Sequence, residues 1–250
     1  MLPSASRFAR AADFTDLPRW LWLWLPLAYY LLVYGSGLLL DQPTYYRYFT
    51  GEMCVTEIVT VLILVVAVVA GILALRDLHA LNDRLLLAWI ALGTLGCLYF
   101  GGEEASWGQW YLRWTTPEAW QALNNQQETN LHNLETLGPL LDQLPRALLT
   151  LGAFVGGIVV PLYLKLRGQW FDPQRFWYWI WPTAITLPVA VLAVILARID
   201  RRIGAVIDQV WPFYDMRSGE LKEFFLGYFL MLYLLSFRLR LRQLRAVVHP

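Results

Sequence analysis

Glu103 and Glu104 stand side by side after Gly101-Gly102, at the end of an apolar run. A carboxylate placed there is costly unless it faces a cavity, a partner or water. Glu128 and His132 are four residues apart, a spacing that on a helix lets both side chains reach one ion or one substrate group. Glu220 and Glu223 lie one turn apart where another apolar run begins, after Ser218-Gly219. Five carboxylates and an imidazole make a hard, oxygen-rich set, which suits Mg²⁺, Mn²⁺, Ca²⁺ or a carboxylate-bridged iron pair better than a thiolate zinc site. Without metal, the same acids would do general acid and base work.

The roles follow from those chemistries. Glu103, Glu104, Glu128, His132 and Glu223 are the candidate catalytic groups; Glu104, Glu128, His132, Glu220 and Glu223 are the candidate ligands of a divalent metal ion. Trp107, Gln109, Asn130 and Arg217 are the candidate substrate contacts, Arg217 to hold a phosphate or neutralise an acid. Plainer readings stand beside these. Acids in the first turn of a helix interact with its dipole, which is sufficient for Glu220 and Glu223. The chain has three histidines, with His79 and His249 far from His132, so no metalloprotease-type HExxH helix is present.

The elements that must position these groups are apolar. Of 250 residues, 58% are hydrophobic and 16% charged, and the mean hydropathy is +0.44, outside the range of ordinary soluble domains. The apolar residues come in blocks of bilayer length: Trp20–Leu40, Met53–Leu75, Leu85–Phe100, Ala147–Leu164, Phe176–Leu196 and Leu221–Phe237. Runs such as Val61 to Leu75 are apolar on every side, which excludes barrel strands. The expected fold is therefore all-α, a polytopic bundle of about six transmembrane helices formed by residues 1–250 as one membrane domain. The third and sixth blocks are the weakest, one for its length and the other for Lys222 and Glu223 in its first turn. The first block is aromatic and no small-residue cleavage pattern follows it, so it is expected to stay as the first span. Cys54 and Cys97 fall near the ends of adjacent spans and are expected to be unpaired small hydrophobes.

Residues 101–146 form the longest non-spanning segment and are expected to be a helical interfacial or extracytoplasmic insertion between spans three and four. Trp107, Trp110, Tyr111 and Trp114 follow i, i+3, i+4, i+7, which makes one aromatic stripe if the segment is helical. Thr116-Pro117-Glu118 predicts a capped helix start. From Asn124 a polar helix is expected, with Asn125, Glu128, His132 and Glu135 on one face and Gly138-Pro139 interrupting it.

The stretch Gly102-Glu103-Glu104-Ala105-Ser106-Trp107-Gly108-Gln109, then Thr116-Pro117-Glu118, then Glu128-Thr129-Asn130-Leu131-His132-Asn133 resembles the signature of a family of bacterial multi-pass membrane proteins with no established activity. The likeness covers roughly a fifth of the chain, with Ala105 and Gln127 departing from the isoleucine and glycine expected there. It implies a bacterial inner-membrane location and transfers no mechanism.

Charge sets the orientation. Arg7, Arg10, Arg19, Arg76, Arg84, Lys165, Arg167, Arg175, Arg238, Arg240, Arg242 and Arg245 fall on one face, which the positive-inside rule makes cytoplasmic, with both termini on it. Arg198, Arg201, Arg202 and Arg217 fall on the other face and oppose that orientation. A net charge of +1 gives no support to nucleic-acid binding. The expected partner is the lipid bilayer. The expected function is an enzyme, metal-dependent or acid/base, acting on a lipid or lipid-linked substrate; a proton- or cation-coupled transporter and a non-catalytic subunit of a membrane complex are the alternatives.

Overall fold

Leucine, valine, alanine and aromatic residues leave these segments no water-facing side, so their backbone polar groups must bond within the segment, and only helices do that in lipid. The computed structural model describes residues 16–50, 53–79, 83–124, 128–131, 134, 139–168, 176–196 and 218–248. Six helices are long and apolar enough to span a membrane: α1 Trp20–Leu39, α3 Val55–His79, α4 Arg84–Glu104, α7 Leu140–Leu166, α8 Phe176–Leu196 and α9, which runs Ser218–Val248. Among the described residues three short α-helices lie outside the spans: α2 Gln42–Phe49, α5 Gln109–Leu112 and α6 Glu118–Gln121. Among the described residues no strand forms, only a single antiparallel bridge between Asn124 and Leu134. The fold is an all-α transmembrane bundle.

The two weakest apolar blocks are longer as helices than as hydropathy. Helix α4 continues through Gly101-Gly102 to Glu104, and α9 continues past Arg238 because Asp77 at the end of α3 takes up Arg245 at 2.8 Å and Arg238 at 3.9 Å. Three prolines in two of the spans lack the N–H for their turn, and each is preceded by a widened π-turn ending two residues earlier: Trp20–Trp24 before Pro26 in α1, and Pro139–Gln143 before Pro145 and Val155–Val159 before Pro161 in α7. Widening the turn relieves the clash between the proline ring and the preceding carbonyl. In α8, Pro182 breaks the helix outright, and α9 supplies the missing donors. Arg240 Nη1 donates to the Tyr178 carbonyl at 2.7 Å, and the Tyr233 hydroxyl to the Trp179 carbonyl at 3.1 Å.

Helix α9 is the hub. Its apolar window is 78% buried against 17% for α1, and Phe224, Phe225, Leu226, Tyr228 and Phe229 are buried in an almost unbroken run. It packs along α3, which packs in turn on α4; α7 and α8 close on its other side. Close approach of α3 and α4 depends on Gly71, where a Cβ would lie 2.1 Å from Thr94 Oγ1. Cys54 and Cys97 are buried and free.

The insertion departs from its sequence reading. The tryptophan stripe is not one helix, because Ser106, Trp107, Gly108 and Arg113 all have positive φ and only Gln109–Leu112 is helical between them. Trp107 turns back, its ring over Gly102 where a Cβ would come within 2.8 Å. Helix α6 starts after Pro117 as the sequence predicts, but the Thr116 hydroxyl bonds the Thr129 hydroxyl at 3.1 Å instead of capping it. The polar helix expected from Asn124 is not formed at Glu128, Thr129, Asn130 or Leu131. The Asn124 side chain bonds the Asn130 carbonyl and the Glu128 N–H there and displaces the helical pattern. Asn125, His132 and Glu135 lie outside the described residues, as does Arg217.

Candidate functional site: an acid-headed cleft between α4, α7 and α9

The antiparallel order of the spans brings the end of α4 and the starts of α7 and α9 to one end of the bundle. At that end the carboxylate oxygens of Glu104, Glu220 and Glu223 lie within 4.8 Å of one another. Glu57, at the start of α3, is the next acid in electrostatic range of Glu104. Arg146, one turn into α7, is the base of the group. Its Nη1 donates to Glu223 Oε1, while Nε and Nη2 donate to Asp142 Oδ1 at 3.0 and 2.6 Å. No described residue donates a hydrogen bond to Glu104, which meets Glu223, Glu220, Glu57 and Arg146 only through the field.

Below this head lies an apolar cleft. Helices α4 and α7 both rest on α9 but do not pack along one another, and a cavity of about 190 Å³ occupies the gap. Tyr99 ties its two sides by donating to the Leu141 carbonyl at 2.8 Å. Phe100, Leu141, Leu149, Leu226 and Leu230 supply apolar wall; Glu103, Glu104, Asp142 and Arg146 line the polar end. Gly93 and Gly96, one turn apart on α4, and Pro145 on α7 form the remaining wall. A Cβ on Gly96 would meet nothing within 4 Å, and one on Gly93 only a Leu234 methyl at 3.9 Å. Packing does not require these glycines, and each costs the helix about 1 kcal/mol relative to alanine. What their smallness preserves is the space.

The candidate residues divide into two groups. Glu104, Glu220 and Glu223 converge on one another, and Glu104 lines the cleft. Glu103 and Glu128 instead fasten the insertion to the end of α4. Glu103 accepts from Trp107 Nε1 at 2.5 Å and from the Leu131 N–H at 2.8 Å. Glu128 accepts from Ser106 Oγ at 2.9 Å and Asn130 Nδ2 at 2.5 Å, and Asn124 Nδ2 donates to the carbonyl and the side-chain oxygen of Asn130. Gln109 Oε1 accepts from the Thr129 N–H at 2.6 Å, and Trp114 Nε1 donates to the Thr129 hydroxyl at 3.1 Å. Glu103, Ser106, Asn124, Glu128 and Asn130 are all buried. A buried carboxylate satisfied in this way fixes a loop, and the positive-φ backbone at Ser106 and Trp107 is held by the same bonds. Of the expected substrate contacts, Gln109 and Asn130 belong to this knot, and Trp107 bonds Glu103 while exposing much of its ring.

Arg146 and Asp142, Gly93 and Gly96 are the site residues that sequence reading passed over. An acid and a base four apart at the start of an apolar run is a readable signal for the first pair. For the glycines there was none, since glycine is frequent in membrane helices.

Three carboxylate oxygens within 4.8 Å fit around one hard cation, whose oxygen ligands lie about 2.0–2.6 Å from it. Arg146 competes with such a cation for Glu223. No family model, curated protein or solved structure matches this chain.

Proposed function

We propose that this chain is a bacterial inner-membrane protein, with both termini cytoplasmic, that works on an amphiphile as an acid/base enzyme. The observation that carries the reading is the cleft: apolar walls between α4 and α7 lead to a polar head where Glu104 has no hydrogen-bonded partner among the described residues. Such a site would take a hydrocarbon chain along its walls and present the headgroup to a carboxylate able to accept or return a proton. Arg146, locked by Asp142 and Glu223, would fix the position of those acids rather than meet the substrate directly. A divalent cation held by Glu104, Glu220 and Glu223 is the cofactor this set would accept, and it would polarise the headgroup. The basic residues of the opposite end support its assignment as the cytoplasmic face. Transport is less favoured, because the described acids gather at the two ends and leave the bundle middle to Thr94, Thr186, Ser236 and apolar side chains.

The test is complementation of a deletion strain. Glu104→Gln keeps shape and removes the charge, so it is expected to abolish complementation at unchanged membrane abundance and melting temperature, while Glu118→Gln on the exposed insertion behaves as wild type. Full complementation by Glu104→Gln overturns the reading.

A further inference from the structure

Resting on the amphiphile reading, the structure further assigns the kind of headgroup: we propose that the cleft admits a single hydrocarbon chain from the bilayer between α4 and α7, bearing a cationic amine that docks on Glu104. The chain route follows from the packing. Helices α4 and α7 are separated by the cavity, α9 forms its back wall, and Gly93 and Gly96 keep side chains out of it. At about 190 Å³ the space equals roughly six water volumes, which suits one chain segment and not a pair.

The headgroup follows from which polar atoms are engaged. An anionic head would need the guanidinium of Arg146, the base that lines the cavity. That group is turned to its own acids on both sides, Nε and Nη2 to Asp142 and Nη1 to Glu223. A phosphate would have to displace one of these carboxylates and would also face Glu103, Glu104 and Glu220 at close range. An ammonium needs no displacement. It meets the carboxylate of Glu104, which receives no hydrogen bond from a described residue, and it lies in the combined negative field of Glu220 and Glu223, whose oxygens are within 4.8 Å of that carboxylate. Charge complementarity therefore selects a donor head over an acceptor head.

The experiment uses the full chain in nanodiscs with a diazirine-bearing dodecylamine as the photoprobe, with dodecylamine, dodecanol and dodecyl phosphate as competitors of equal chain length. Labelling is expected to be saturable and to map to Leu141, Leu149 and the Gly93–Phe100 stretch, with dodecylamine displacing the probe about tenfold better than dodecanol, a difference of about 1.4 kcal/mol. Gly96→Leu projects into the cavity from a position where a Cβ meets nothing within 4 Å, so the fold, checked by an unchanged melting temperature, is expected to be kept and cleft labelling lost. Glu104→Gln is expected to bring dodecylamine down to the level of dodecanol. Stronger competition by dodecyl phosphate, equal competition by amine and alcohol, or unchanged labelling in Gly96→Leu overturns the proposal. The two readings fail separately. Loss of complementation in Glu104→Gln with the amine preference intact leaves the enzyme standing and removes the amine; lost preference with normal complementation does the reverse.

Discussion

Arg146 on α7 and Glu223 on α9 form an ion pair at the head of the cleft, and Asp142 holds the other edge of the same guanidinium. The pair closes two spans that α8 and its flanking segments leave 77 residues apart in sequence. Removing one member leaves the other charged at the membrane boundary. Arg146→Gln is expected to cost about 2 kcal/mol, less than the 3–5 kcal/mol of a fully buried pair because Arg146 remains 36% exposed. Thermal unfolding in detergent reads the loss, and adding Glu223→Gln should restore part of it; strictly additive effects would show that the contact carries no coupling.

The knot at the end of α4 is the second place where a single change should act. Asn130→Ala removes a donor to Glu128 and an acceptor for Asn124, both buried, at an expected cost of about 2–3 kcal/mol confined to the insertion. Proteolysis between residues 113 and 124 should speed up severalfold while the six spans stay intact. An unchanged cleavage rate would mean that the knot does not hold the insertion.

Between α3 and α4 the prediction is steric. Gly71→Ala drives a methyl against Thr94 Oγ1 and is expected to destabilise the bundle by about 2 kcal/mol. Thr94→Ala in the same chain removes the two outer atoms of that side chain and should recover more than half of the loss. Failure of the second change to rescue the first would place the strain elsewhere.

Two groups outside the spans report on pH. Burial pushes the Cys54 thiol up to about 11, so it stays neutral through the physiological range and its alkylation by maleimide should rise about tenfold per pH unit up to pH 10. Rapid alkylation of the native protein at pH 7 would contradict the burial. Asp41 behaves oppositely: the Thr44 hydroxyl and N–H hold its carboxyl below the usual carboxylate range as it caps α2. A depressed carboxylate contributes stability that is present above its unfolded value near 3.9 and is lost as pH falls through the folded value. The Asp41→Ala chain should therefore lose less stability than wild type on acidification below pH 4.

The six spans were legible because hydrocarbon imposes one requirement everywhere, and Leu, Val and Ala satisfy it in runs that composition alone reveals. Phe176–Leu196 recurs as a span among the described residues. The insertion was misread where local bonding overrode periodicity: Trp107 has helical spacing, yet its indole is drawn back onto Glu103 and Gly102. The convergence of Glu104, Glu220 and Glu223 could be anticipated from topology, since span ends meet at a common face. That Glu103 and Glu128 face one another's loop instead depends on which way adjacent side chains leave a helix end, and no spacing rule fixes that once the helix stops at Ala105. Gly93 and Gly96 were illegible for a different reason: a space is defined by what α7 and α9 fail to fill.

The central position of α9 bears on biogenesis. It is the last of the six described spans to leave the ribosome, and its first two turns carry Glu220, Lys222 and Glu223. The five spans before it must wait at the translocon with the surfaces that α9 will cover still turned to lipid, Gly71 and Thr94 already paired but the carbonyls of Tyr178 and Trp179 lacking the donors that Arg240 and Tyr233 bring. A nascent chain stalled before Ser218 is thus an open ring without its axle, a form for quality-control proteases to recognise by its unmet polar groups.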